Sequence, residues 1–172
     1  MKLNIGIFQY EMQDEGPFEK ISRLEEHLNK NPDLDLVVCP ELFISGYGNP
    51  EKINKFSETQ EGQCAKKLSG LAKQFSTAIV YGYPESNSKQ LFNSAQLFDK
   101  DGLSIANHRK KMLPPTANES TIFSPGEDSS IITINGIRAA IVICYELEFP
   151  ELIRELALQE VVLIIAPTGQ SS

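Results

Sequence analysis

The chain has 172 residues, 41% hydrophobic and 23% charged, with a formal net charge of -7. That is enough apolar material for one globular domain with a core and excludes a disordered chain. The acidic balance argues against a nucleic acid or an anionic membrane surface as partner, because both reward clustered Lys and Arg, and only His108-Arg109-Lys110-Lys111 comes near such a cluster.

The opening "LNIGIFQY", residues 3 to 10, alternates like a strand, without the apolar stretch and small-residue cleavage site of a signal peptide. No run is long enough to span a bilayer. Three cysteines, Cys39, Cys64 and Cys144, without CxxC spacing fit a reducing compartment, so the reading is cytoplasmic.

A helix follows over residues 17–30, with Pro17 in its first turn and Phe18, Ile21, Leu24 and Leu28 at helical spacing. "DLDLVVCPE" is a short buried strand stopped by Pro40. A Gly-rich loop then leads to a helix over residues 61–75, and "TAIVYGYPE" and "QLFNSAQLFD" are the third and fourth strands. "LSIANHRK" pairs with the fourth across Asp99-Lys100-Asp101-Gly102.

Residues 112–128, with Pro114-Pro115 and Pro125-Gly126 and no period, form a long ordered loop of the kind that carries function. Asn135-Gly136 between two apolar runs marks a second hairpin. A helix over residues 150–160 and the strand "VVLIIAP" complete a single α/β domain, residues 1–172, with a mixed sheet.

Phosphate-loop, dinucleotide, zinc-protease and serine-elbow signatures are absent from the sequence, and there are only two histidines, His27 and His108. A general base is therefore expected to be a carboxylate, with neither metal nor cofactor. Cys144 stands where an apolar strand gives way to the start of a helix, a position whose free N–H groups favour a thiolate and a neighbouring oxyanion. Glu41 also follows a buried strand, and Lys110 ends another; Glu119 lies in the long loop.

Taken in order, "CPELFISGYG", "HRKKMLPP" with "NESTIFSPGE", and "ICYELEFPELIRELAL" resemble the three signature regions of the nitrilase, or carbon-nitrogen hydrolase, superfamily. The resemblance maps a general base onto Glu41, a lysine onto Lys110, a second glutamate onto Glu119 and a nucleophile onto Cys144. Tyr145 and Tyr47 fall where oxyanion or substrate contacts are expected. His108 replaces the usual Tyr, Lys111-Met112 stands where many members have a small residue and a histidine, and Glu148 where many have arginine. Glu146 and Glu148 are read as supporting or surface groups.

The resemblance implies part of a nitrilase-type α-β-β-α sandwich with mixed sheets. Since members are usually longer, it also implies that the C-terminal portion is missing, which would leave an unpaired edge and an exposed apolar face. It implies an amidase acting on a small-molecule amide through a thioester, with carbamoyl hydrolase, nitrilase and non-catalytic module as alternatives. Homo-oligomers, dimers or higher, are expected through helices such as residues 150–159.

Overall fold

A computed structural model describes residues 2–9, 15–115 and 118–169. Five strands form one sheet in the order β1 (Ile5–Ile7), β2 (Leu36–Val38), β3 (Ala78–Ser86), β4 (Leu91–Phe98), β5 (Ser104–Arg109). β1, β2 and β3 are mutually parallel, whereas β3–β4 and β4–β5 are antiparallel. A second sheet has β6 (Ser130–Ile134) antiparallel to β7 (Ile137–Ile141), which is parallel to β8 (Leu163–Ile165).

The period-two alternation of side chains along each strand sorts the residues into layers. On β2 and β3, Val37, Ile79, Tyr81 and Tyr83 face helices α1 (Pro17–Lys30) and α3 (Gln63–Phe75), whose Ile21, Leu24, Leu28, Leu68 and Ala72 fill that side. Their alternates Leu36, Ala78 and Val80, with Ala95 and Leu97 of β4, meet Ile134, Ala139, Ile141 and Ile165 of the second sheet. Ala140 and Val142 point the other way, onto Leu152 and Leu156 of α5 (Pro150–Leu158). The result is the four-layer α-β-β-α arrangement, in two sheets where pattern reading alone gave one.

Several elements differ from expectation. β1 is only three residues long, and Tyr10 of the expected strand lies outside the described residues. Phe18 is exposed and lies under Lys67, whose Nζ is 5.1 Å from the ring centre. The first loop contains α2 (Pro50–Lys55), started by the Asn49 side chain accepting from the Lys52 N–H, and the second contains the single turn α4 (Glu119–Ile122). β3 and β4 form a further hairpin. β1 and β8 each have one strand neighbour, and Ile5, Ile7 and Val162 are exposed. Among the described residues, no helix is long and apolar enough to cross a membrane.

Candidate active site

Three strand ends deliver the chemistry. Glu41 follows β2 after Pro40, Lys110 follows β5, and Cys144 lies three residues beyond the end of β7. Glu41, Lys110 and Glu119 are buried, Lys110 completely, and Cys144 is half-buried.

Lys110 Nζ donates to Glu41 Oε1 at 2.7 Å and to both oxygens of Glu119 at 3.0 Å. Asn93, from the interior of β4, donates from Nδ2 to Glu41 Oε1 at 2.8 Å and to Glu119 Oε2 at 3.1 Å. The Tyr47 hydroxyl donates to Glu119 Oε1 at 2.7 Å. One ammonium, one amide and one phenol thus satisfy two buried carboxylates that would otherwise repel one another.

The second sheet closes the site. Past β8, the Gly169 N–H donates to Glu41 Oε2 at 3.0 Å, and the Glu41 N–H donates to the Thr168 carbonyl at 3.3 Å. The Cys144 N–H donates to the Pro167 carbonyl at 3.0 Å, and Cys144 Sγ faces the Gly169 carbonyl at 4.0 Å. Residues 167–169 therefore touch both the carboxylate and the thiol.

Burial raises the pKa of Glu41, against the opposing pull of Lys110. Burial also raises that of Cys144, helped by the Glu41 carboxylate acting as charge and as acceptor. For Lys110, burial works downward but the two glutamates outweigh it and the net shift is upward. The upward shift of Cys144 runs against the expected thiolate favoured by helix N–H groups, while the upward shift of Lys110 favours its charged form. Cys144 opens a separate 3-10 turn, Cys144–Glu148, and is not at the start of α5.

Three non-glycine residues at the site have a positive φ. Cys144 itself has φ of 45°, Leu42 beside Glu41 has 49°, and Asn118 beside Glu119 has 56°. A non-glycine residue in that region costs on the order of 1–3 kcal/mol and persists where surrounding contacts over-determine it. Gly82 on β3 lets the Glu41 loop approach: a Cβ there would sit 2.6 Å from the Pro40 oxygen and 2.8 Å from the Glu41 carbonyl carbon.

Tyr145 packs edge-on against Phe149, ring centres 5.2 Å apart. Cys39 and Cys64 are buried in the helix-side core, and burial pushes the Cys64 thiol up to about 12. Asn93 and Gly169 were not anticipated from sequence; the only signal for Asn93 is a polar residue inside a strand that is otherwise core. His108 is not part of a surface basic cluster. It is buried, with Nε2 2.8 Å from Glu146 Oε2. Glu146 is fully buried, whereas Glu148 is exposed. Among the described residues, no group of three or more His, Cys, Asp or Glu could hold a metal ion.

This sandwich, with Glu, Lys and Cys brought together at its strand ends, is the architecture of the carbon-nitrogen hydrolases, and the chain belongs to that family, whose model matches residues 3–172. It is 39% identical over 152 residues to a hydrolase encoded in the pqqF 5' region of Pseudomonas protegens, covering 87% of this chain and 53% of that one. It is 31% identical over 137 residues to an (R)-stereoselective amidase of a Pseudomonas species, covering 80% and 49%. The chain thus spans about half the length of these relatives. An amidase from Nesterenkonia sp. AN1, solved after Michael addition of acrylamide at its active-site cysteine, superposes with a TM-score of 0.83 at 23% identity, over 99% of this chain and 68% of that one. A carbon-nitrogen hydrolase from Helicobacter pylori gives 0.84 at 25% identity, over 96% and 59%.

Proposed function

We propose that the protein is a thiol amidohydrolase that releases ammonia from a small amide through a Cys144 thioester. The observation that carries this reading is Lys110 Nζ held between Glu41 and Glu119 directly beside the Cys144 turn. In the proposed cycle Glu41 accepts the Sγ proton as sulfur bonds to the amide carbon, and its raised pKa suits a base working near neutral pH. With one N–H on Glu41 and one shared by the two Glu119 oxygens, the third N–H of Lys110 is left for the developing oxyanion. The Tyr145 N–H, at the start of the 3-10 turn, is the second donor in this reading.

When the tetrahedral adduct collapses, the C–N bond breaks and the nitrogen takes the proton from Glu41. Ammonia leaves, and a thioester remains. Glu41 then draws a proton from water as its oxygen attacks the thioester, and the acid departs as sulfur regains its proton. Glu119, itself fixed by Tyr47 and Asn93, positions Lys110.

The test is a panel of short aliphatic amides, N-carbamoyl compounds and nitriles, with ammonia and carbon dioxide measured for the wild type, Cys144→Ala and Glu41→Gln. Ammonia from amides without carbon dioxide, lost in both variants, is the expected result. Carbon dioxide release or nitrile turnover would move the protein to the carbamoyl hydrolase or nitrilase branch. Turnover that depends on Cys144 and Glu41 would dispose of the other reading, a non-catalytic module. A cytoplasmic location is supported by the three free cysteines and is checked by cell fractionation. Self-association through α5 is supported by the exposed Leu158 and is checked by light scattering.

A further inference from the structure

Glu146 has no part in the proposed cycle, yet its carboxylate is fully buried and makes three short hydrogen bonds to two separate segments. Its Oε2 accepts from the Ile143 N–H at 2.7 Å and faces His108 Nε2 at 2.8 Å. Its Oε1 accepts from the Lys111 N–H at 2.9 Å. A carboxylate that already accepts from two amides can only accept from the imidazole, so Nε2 carries the proton. The two anchored amides belong to the residues adjoining Cys144 and Lys110.

We propose that Glu146, held by His108, is a positioning residue that sets the distance between the Cys144 nucleophile and the Lys110 ammonium; this rests on the amidohydrolase reading. The two groups come from different sheets, Lys110 from the end of β5 and Cys144 from beyond β7, and the carboxylate ties the two segments together. It also explains how Cys144 is kept at a φ of 45°: the amide just before it is bound by a side chain three residues further on, inside the same turn. Despite burial, the Glu146 carboxyl is held below the ordinary range by His108 and the Ile143 and Lys111 amides, so it stays an acceptor. His108 supplies the donor from β5, one strand residue plus one before Lys110, which makes the link specific to the strand that carries the lysine.

The test uses acrylamide as a cysteine-directed amide probe on the full chain, with labelling of Cys144, Cys39 and Cys64 followed separately by peptide mass spectrometry and folding checked by circular dichroism. His108→Phe and Glu146→Gln are expected to slow Cys144 labelling about ten- to a hundred-fold, the scale of a misplacement of about 1 Å in a reacting group. His108→Tyr, which restores a donor, is expected to recover most of the rate. General loosening of the fold would instead speed labelling of the buried Cys39 and Cys64, and that pattern, or variants that fail to fold, would overturn the positioning role. Wild-type rates in folded His108→Phe and Glu146→Gln would overturn it as well. Glu41→Gln separates the two readings. If it abolishes ammonia release from short amides while the Glu146 and His108 variants label at the wild-type rate, only the positioning inference falls; if it leaves ammonia release unchanged, the amidohydrolase reading falls and takes the inference with it.

Discussion

Replacing Lys110 by Met keeps the side chain's volume but removes the charge between Glu41 and Glu119. Lys110 is fully buried and its Nζ makes three contacts of 2.7–3.0 Å, so two carboxylates would be left in a low-dielectric site with only Asn93 Nδ2 between them. Breaking a buried ion pair from one side costs about 3–5 kcal/mol. For a chain of this size that corresponds to a fall in Tm of about 6–20 °C. The loss depends on pH with a definite sign. Glu41 already has its folded pKa raised above 4.5, and removing the ammonium raises it further. A carboxylate raised on folding supports stability at pH below its unfolded pKa and loses that support as pH climbs through the folded value. The Lys110→Met deficit is therefore largest near pH 8 and smaller near pH 5, where one proton relieves the repulsion. Thermal melts of both proteins by circular dichroism at the two pH values test this. A variant within about 2 °C of wild type at pH 8, well under the shift that the buried-pair cost implies, would refute the argument that the ammonium holds the carboxylates together.

Glu41→Gln is expected to lower amide turnover by about 10²–10⁴, the usual contribution of a general base, while the protein still melts cooperatively; steady-state ammonia release measures it. Gly82→Ala is expected to cost about 1–3 kcal/mol, because the new methyl group meets backbone of the Glu41 loop and not a flexible side-chain end; chemical denaturation reads the stability and acrylamide labelling reads the site. Away from the site, the Glu85 carboxyl is held at about 2 against an ordinary value of 4.5; burial opposes this, and Arg109, Ser94, Gln60 and Asn107 overcome it. That depression amounts to about 3 kcal/mol, present above pH 4.5 and lost as pH falls toward 2, so Glu85→Gln should flatten the acid limb of the stability profile between those values.

How far the sequence speaks for the structure depends on what each residue does. Glu41 and Cys144 stood out because each follows an apolar run, and strand ends are where an α/β sheet presents its reacting groups, whereas Lys110, at the end of the mixed run Ser104–Arg109, was singled out by the family resemblance. Glu119 was legible only through the family resemblance, since nothing local distinguishes an acidic residue in a loop. Asn93 escaped because in β4 it stands among Phe92, Ser94 and Ala95, and alternation alone cannot show that a polar side chain there faces two carboxylates. Gly169 escaped because its contribution is a backbone N–H, which leaves no mark on residue type. The division into two sheets was hidden from pattern reading for a related reason. Ala78 and Val80 look apolar whether they face helices or another sheet, so periodicity yields a face but not its partner. His108 was misjudged by its neighbours in sequence: strand alternation turns it to the opposite face from Arg109, toward Glu146, while Arg109 pairs with Glu85.

The layer between the sheets has a consequence for where rate can be altered. Glu41, Lys110 and Asn93 ride on one sheet, whereas Cys144 and residues 167–169 ride on the other. The gap between Glu41 and Cys144, base and nucleophile in the proposed cycle, thus depends also on how Val80, Leu97, Ile141 and Ile165 interlock across the sandwich. These are saturated hydrocarbon groups with no chemistry of their own, yet together they act as the spacer of a jig. A methyl group added or removed in that layer shifts one half of the reaction centre against the other. Under the proposed function, fine adjustment of turnover is therefore available from the middle of the hydrophobic core, without touching a polar atom.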